Sequence, residues 1–382
     1  MACLAKSLAI APTASHAKMK PHLHRIVGAG LFALDVIVRG DGMTAPPTLG
    51  GSAGNVLWIL GALGWKATPV GTIGQDSAAN TVHRDFERID ADTRFMLRST
   101  EHRTPVIFQH QMAVSDVAQG VTHRFTFTCP ACGARRIPVW DRDSAFADLQ
   151  PRLPPASVFF LDRPTKLGVA LAQHYADNGA IVVFEPSAIG DDADLFGRAV
   201  TSAHIIKYAD ERIDSLEQFE LRPQAIEIQT RGADGLRFRA PSLDDRWMSL
   251  GAFELPYLHD TAGAGDWCTA GLIFELFNDP KASLRSPDYN VLASALSFGQ
   301  ALSTLNCMTE GARGLLQAWS PSRVIRLARD LSEARIAALQ FHKIPFDTRV
   351  CEPRLKPLAD DVSQWFSSTQ SNIDRLYCCP AS

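Results

Sequence analysis

Residues 157–210 read SVFFLDRPTKLGVALAQHYADNGAIVVFEPSAIGDDADLFGRAVTSAHIIKYAD. Three short runs, SVFFLDR, AIVVFEPS and AHIIKYAD, are rich in Val, Ile and Phe, while KLGVALAQHYADNG and DADLFGRAV between them carry apolar residues at helical spacing. A continuously apolar strand is one covered on both faces, and strands that alternate with amphipathic helices pair in parallel through helical crossovers. The stretch predicts a doubly wound α/β fold, a mainly parallel sheet with helices on both faces. Gly179 closes the first of its helices.

Upstream, HRIVGAGLFALDVIVRG opens the ordered part, with Ile26 and Val27 entering a glycine turn. Gly28, Gly30 and Ala33 match GxGxxA, the fingerprint of a dinucleotide-binding turn, but that motif requires a helix to follow. Leu34, Val36 and Val38 alternate instead with Asp35, Ile37 and Arg39, which is strand periodicity. The dinucleotide reading therefore fails. In LGGSAGNVLWILGALGW, Gly50, Gly51 and Gly54 let the backbone approach a ligand, and Val56, Leu57, Ile59, Leu60 and Leu63 predict a buried helix. ATPVGTIGQD predicts a short strand ending before Asp76. Residues 100–142 contain PVIFQHQMAV and THRFTFTC, whose alternation suits an antiparallel flap solvated on one face. Ser320 as N-cap and Pro321 at N1 start a further helix with an apolar face of Val324, Ile325, Leu327, Ala328 and Leu331. After about Phe346 the periodicity fades, and a loosely ordered tail is expected.

Composition narrows the classes. A chain of 382 residues with 46% hydrophobic and 21% charged content has the make-up of a globular protein. A formal net charge of −3 lacks the cationic surplus that phosphate-backbone binding requires, so no nucleic-acid partner is expected. No apolar run reaches the roughly 18 to 20 residues of a membrane span, so no membrane association is expected either. The first 24 residues have a short apolar stretch broken by Pro12, weak for a secretory signal, and read as a disordered extension. Eight cysteines form no dense disulfide framework, which makes a reducing cytoplasm the expected compartment.

HDTAGAGDWCTAGL, residues 259–272, places Asp260 and Asp266 around Gly263 and Gly265, directly before an apolar helical stretch. The first amides of a helix have no internal acceptor and carry the positive end of its dipole, so the turn is suited to an anion. A carboxylate there would repel a phosphate unless it had work to do. General base is that work: Asp266 takes a proton from a hydroxyl while the Ala264 and Gly265 amides stabilise charge on a transferring phosphoryl group. The competing reading is an early-helix carboxylate favoured by the dipole alone.

DTAGAGD resembles the DTxGAGD signature of the PfkB (ribokinase-like) carbohydrate kinases. The resemblance runs over residues 26–315 and is supported, in the family's order, by GAGLFALD, LGGSAGN, VGTIGQD, TRGADG at 230–235, and Glu310-Gly311-Ala312. It implies a ribokinase-like kinase domain at 25–319, with a β lid at about 36–48 and 100–130, followed by a C-terminal helix and tail at 320–382. It also implies an ATP- and Mg²⁺-dependent transfer to an alcohol group of a sugar or sugar-like substrate. A nucleoside acceptor, or a catalytically weak regulatory member, is the alternative. On the family's pattern Asp35, Gly51 and Asn55 bind substrate hydroxyls, and Thr230, Gly232 and Gly235 line the ATP site. Gly263, Ala264 and Gly265 form the anion hole, and Asp266 is the base. Without the resemblance Asp35 reads as a cap of the flap and Asn55 as a cap of its helix. Asp260 braces the turn or belongs to a monovalent-cation site. The lid implies a homodimer.

One departure stands out. Where the family carries Asn-x-x-Glu to organise magnesium and phosphate, alignment on Lys207 places Ala209 and Arg212, leaving Asp210 and Glu211 as candidates for Mg²⁺. Separately, Cys129 and Cys132 followed by Gly133 form a CxxC insertion at 129–132, half of a structural zinc site, with His123, Cys351, Cys378 or Cys379, or a second copy, to complete it. A redox pair and two inert thiols are the competing readings. The histidines form no HExxH pair. Trp58, Trp65 and Trp267 read as core, Cys268 and Cys307 likewise, and Arg135 and Arg136 as a solvated basic pair.

Overall fold

The computed structural model describes residues 24–39, 44–111, 123–139, 146–242, 244–278 and 288–342. The expected extension before His24, the tail after residue 342, and Cys351, Cys378 and Cys379 lie outside the described residues. Strands follow the apolar runs: β1 (Arg25–Ala29), β2 (Ala33–Val38), β3 (Thr48–Gly50), β4 (Lys66–Gly74), β5 (Met96–Ser99), β6 (Val106–Gln111), β7 (His123–Thr126), β8 (Val158–Leu161), β9 (Ile181–Phe184), β10 (Ile205–Ala209), β11 (Ile226–Thr230), β12 (Leu236–Ala240) and β13 (Asp244–Leu250). The longer helices are α1 (Ser52–Ala62), α2 (Ser77–Glu87), α3 (Lys166–Asp177), α4 (Ala193–Ser202), α5 (Ala264–Asn278), α6 (Tyr289–Cys307) and α7 (Pro321–His342).

Nine strands build the main sheet in the order β13-β12-β11-β10-β9-β8-β1-β4-β5. Every pair from β5 through to β11 is parallel, and β12 and β13 close one edge antiparallel. Residues 157–210 supply β8, α3, β9, α4 and β10, as their pattern predicts. Side-chain caps fix the helix starts: Thr165 accepts from the Gly168 amide, Asp192 from Leu195 and Asp76 from Ala79. One core packs α1, α5, α6 and α7 on one face of the sheet, and a second packs α3 and α4 on the other. Trp65 and Trp267 are buried as expected, and so are Cys268 and Cys307.

The strand order reverses between β1 and β8. The crossover from β1 to β4 runs through α1 in the first core, and that from β8 to β9 through α3 in the second. A parallel sheet opens a crevice at such a reversal, beyond the carboxyl ends of its strands.

A second sheet, ordered β3-β2-β6-β7, forms the flap. Its strands β6 and β7, from residues 100–142, pair antiparallel as expected, Phe108 with Thr126 through Gln111 with His123, whereas β2 and β6 pair in parallel, Leu34 with Val106 through Val38 with His110. Alternation fixes the exposed face but not the direction. Between β2 and β6 the chain passes through β3, α1, β4, α2 and β5, so β6 returns in the sense of β2. The lid also begins earlier than residue 36, at Ala33, and takes in Thr48–Gly50. No helix among the described residues is long and apolar enough to cross a membrane.

Candidate active site

Asp266 stands in the first turn of α5, only 9% exposed. Its helix starts where Trp267 N–H closes onto the Gly263 carbonyl, while the Ala264 N–H turns back to Thr261 O at 3.2 Å. The Gly265 and Asp266 amides are thereby left as the open donors of the first turn. Of the expected anion-hole trio, Ala264 is thus the member whose amide is already engaged.

Asn55, one turn into α1, donates from Nδ2 to Asp266 Oδ2 at 2.6 Å. It is not the cap of its helix: that position is Gly51, at φ 77 and ψ 149, a left-handed backbone that glycine adopts without strain. Asp35 lies in β2 with its carboxyl against Gly50, where an added Cβ would come within 1.9 Å of Asp35 Cγ. The N-termini of α1 and α5 therefore meet at one carboxylate, with a second carboxylate across the glycine pair.

Four residues given no site role in the sequence reading complete the cluster. Asp162, the residue after β8, is fully buried and accepts from the Leu31 amide at 2.9 Å and the Ala53 amide at 3.2 Å, joining the ends of β1 and β8 at the reversal point. Glu185, the residue after β9, accepts from Lys207 Nζ and from Thr269 Oγ1. Lys207 is buried and also donates to the Gly265 carbonyl at 3.3 Å, which ties the sheet to the glycine turn. Arg313 is buried, donates from Nη2 to Leu49 O at 2.8 Å, and lies 4.2 Å from the centroid of the Trp58 ring.

Electrostatics follow from burial. Desolvation, with the charge of Glu185 adding to it, pushes the Asp266 carboxyl up to about 8, while the Asn55 hydrogen bond and Lys207 work the other way. Burial raises Asp35 to about 7 against the opposing Arg313 guanidinium, and raises Asp162 as well. The same desolvation lowers Arg313 to about 10. It also works against the Lys207 charge, but the neighbouring Glu185 outweighs it and holds Lys207 above its ordinary value. Several buried polar atoms here have no partner: Asp35 Oδ1, Asn55 Oδ1, and Arg313 Nε and Nη1. Unmet donors and acceptors in one place cost free energy unless something polar meets them, and a compound bearing several hydroxyls offers both halves of each bond.

The expected nucleotide residues lie farther along the same strand edge. Thr230 ends β11, Gly232 has φ 52 with nothing within 4 Å of an added Cβ, and Gly235 has φ 90 against Leu250 O. Asp210 and Glu211 are exposed in the turn after β10, beside Thr230, and Arg212 pairs with Glu211 at 3.7 Å. Among the described residues no group of three or more His, Cys, Asp or Glu side chains is placed to hold a metal.

One expectation is corrected. Arg136 is not solvated: it is 5% exposed and reaches Asp76 Oδ2 at 2.7 Å and Thr104 O at 3.3 Å, anchoring the CxxC loop to the cap of α2. Cys129 is buried in the main core while Cys132 is exposed, in a turn closed by Gly133 N–H on Cys129 O at 2.9 Å.

A scan against protein-family models finds no match, and neither does a search of curated proteins. Solved structures do match in fold. A fructokinase with bound ATP from Xylella fastidiosa superposes with a TM-score of 0.61 at 17% identity, covering 80% of this chain and 98% of that one. An aminoimidazole riboside kinase from Salmonella enterica, complexed with aminoimidazole riboside and an ATP analogue, gives 0.59 at 19%, covering 80% and 100%. A fructokinase double mutant from Vibrio cholerae, in its fructose-, ADP- and potassium-bound form, gives 0.58 at 16%, covering 78% and 96%. The fold of this chain is that of sugar and nucleoside kinases of the ribokinase type.

Proposed function

We propose that the protein transfers the γ-phosphoryl group of ATP to a hydroxyl of a sugar or sugar-like compound. The observation that carries this reading is Asp266: a buried carboxylate held by Asn55 beside the open Gly265 amide, at the start of a helix. Asp35, Asn55 and Arg313, with their unmet polar atoms, hold the acceptor's hydroxyls. Asp266 removes the proton of the attacking hydroxyl, and the helix-start amides meet the charge that develops on the phosphoryl oxygens. Thr230, Gly232 and Gly235 line the nucleotide.

Mg²⁺ is commonly held by one or two carboxylates together with phosphates and water, so an all-protein cage is not required and the exposed Asp210 and Glu211 suit that part. When bound it neutralises phosphate charge. Structural zinc at Cys129 and Cys132 is not part of this reading. The exposed Phe125, Ile137 and Val139 around the lid support pairing of two copies there, and the cysteine usage supports a cytoplasmic setting.

Ala209 and Arg212 favour a second reading, a ligand-binding regulator with weak turnover. The double substitution Ala209→Asn with Arg212→Glu separates the two. A kinase hampered by these residues gains turnover with Mg-ATP, whereas a regulator gains none.

A further inference from the structure

Asp260 stands six residues before Asp266, at the entrance to the glycine turn, and is 1% exposed. Four protein groups crowd its carboxylate. Oδ1 accepts from the Ala262 amide at 2.9 Å and faces His123 Nδ1 at 3.1 Å; Oδ2 accepts from Gln109 Nε2 at 2.8 Å and from the Gly311 amide at 2.9 Å. Two unprotonated acceptors do not pair, so Nδ1 carries the proton in this contact. An ionised carboxylate has about four lone-pair sites, and here each oxygen meets two donors. A potassium ion needs those lone pairs. The Asp260 carboxylate therefore does not fit the monovalent-cation role raised for it from the sequence.

Two of the four donors come from the lid. Gln109 and Gln111 alternate on one face of β6, and His123 sits opposite Gln111 on β7, so the three side chains share the face that meets the glycine turn. Gln109 and His123 reach Asp260, while Gln111 donates to Glu310 at 3.0 Å. Burial works to raise Asp260, but the His123 hydrogen bond and the Ala262 and Gly311 amides outweigh it and hold the carboxyl below the ordinary range. Two of the four lone-pair positions that an ion would use are taken by the lid.

We propose that Gln109 and His123 take the place of a monovalent cation at Asp260, so that the glycine turn is positioned by the lid sheet and the protein works without potassium. The activity arm of this inference rests on the kinase reading; the binding arm does not. The test compares thermal melting of the full-length protein in potassium chloride and in choline chloride at equal ionic strength. The expected result is the same melting temperature in both salts. The double variant Gln109→Ala with His123→Ala, which frees two carboxylate positions, is expected to melt higher in potassium chloride than in choline chloride. Once an acceptor is known, the unmodified protein is expected to keep the same kcat and the same KM for ATP in both salts. Potassium-dependent melting or turnover of the unmodified protein overturns the proposal and leaves the kinase reading standing, as does a folded double variant indifferent to potassium. If no acceptor is phosphorylated, the kinase reading fails while the melts still decide the question of the ion.

Discussion

Asp266, the proposed base, holds its proton tightly. Burial and Glu185 raise its carboxyl to about 8, so the active, ionised form grows as pH rises through that value, and kcat/KM is expected to climb between about pH 6 and pH 8. The same shift sets a stability trend of opposite sign. With a folded-state pKa above the unfolded value near 4, the native state binds the extra proton between those two values. The stability this group contributes below about pH 4 is lost as pH rises through about 8, on the order of a few kcal/mol. Asp266→Asn is expected to remove that loss and to melt higher than the unmodified protein near pH 8, while turnover falls by about 10² to 10⁴. Melting curves at two pH values check the first part. Asp35→Asn is expected to raise KM for the acceptor by roughly tenfold or more, the worth of a charged hydrogen bond, with little effect on KM for ATP.

Much of this was legible in residues: the glycine turn, Asp35 and Asn55 stand at one site, as their motifs imply. Asp162 and Glu185 were missed although a signal was present, since SVFFLD and AIVVFE both end an apolar strand on a carboxylate, at the edge where parallel sheets bind ligands. Arg313 had no such signal. Its neighbours Asp35, Leu49 and Trp58 come from the opposite end of the chain and only the fold brings them together.

Helices α5 and α6 decide where the glycine turn sits. They cross through Gly271 and Gly299, where an added Cβ would lie 2.7 Å from Gly299 Cα and 2.4 Å from Cys268 O respectively. In an ordinary helix interior Gly→Ala stabilises by about 0.5–1 kcal/mol. Here Gly299→Ala is expected to destabilise instead, by about 1–3 kcal/mol, because the backbone of α5 must move. Urea denaturation gives the sign directly. The apolar stretch after Asp266 announced a buried helix, but not this contact, which depends on a partner chosen by tertiary packing. Strand direction was hidden for a related reason. The alternation in β2 and β6 is the same for parallel and antiparallel pairing, and only the connection between them decides.

Across the molecule, the doubly wound architecture was readable because strand and helix signals repeat with regular spacing over residues 157–210, each unit confirming the next. The way the lid is fastened was not. Arg39 from the β2 end makes two hydrogen bonds to Glu310, at 2.9 and 2.7 Å, and Gln111 adds a third, all between segments remote in sequence. Glu310→Ala is expected to loosen the lid, measured as faster limited proteolysis within it, with the melting temperature of the main sheet little changed.

The central claim is that Asp266 drives phosphoryl transfer to a hydroxyl. The direct measurement incubates the unmodified protein and Asp266→Asn with Mg-ATP and a panel of sugars and nucleosides, and follows both phosphorylated product and ligand binding. A phosphorylated acceptor with the unmodified protein, and a loss of about 10² to 10⁴ in rate with binding retained in the variant, is the expected result. Binding without transfer in both proteins, or equal transfer by the two, contradicts it.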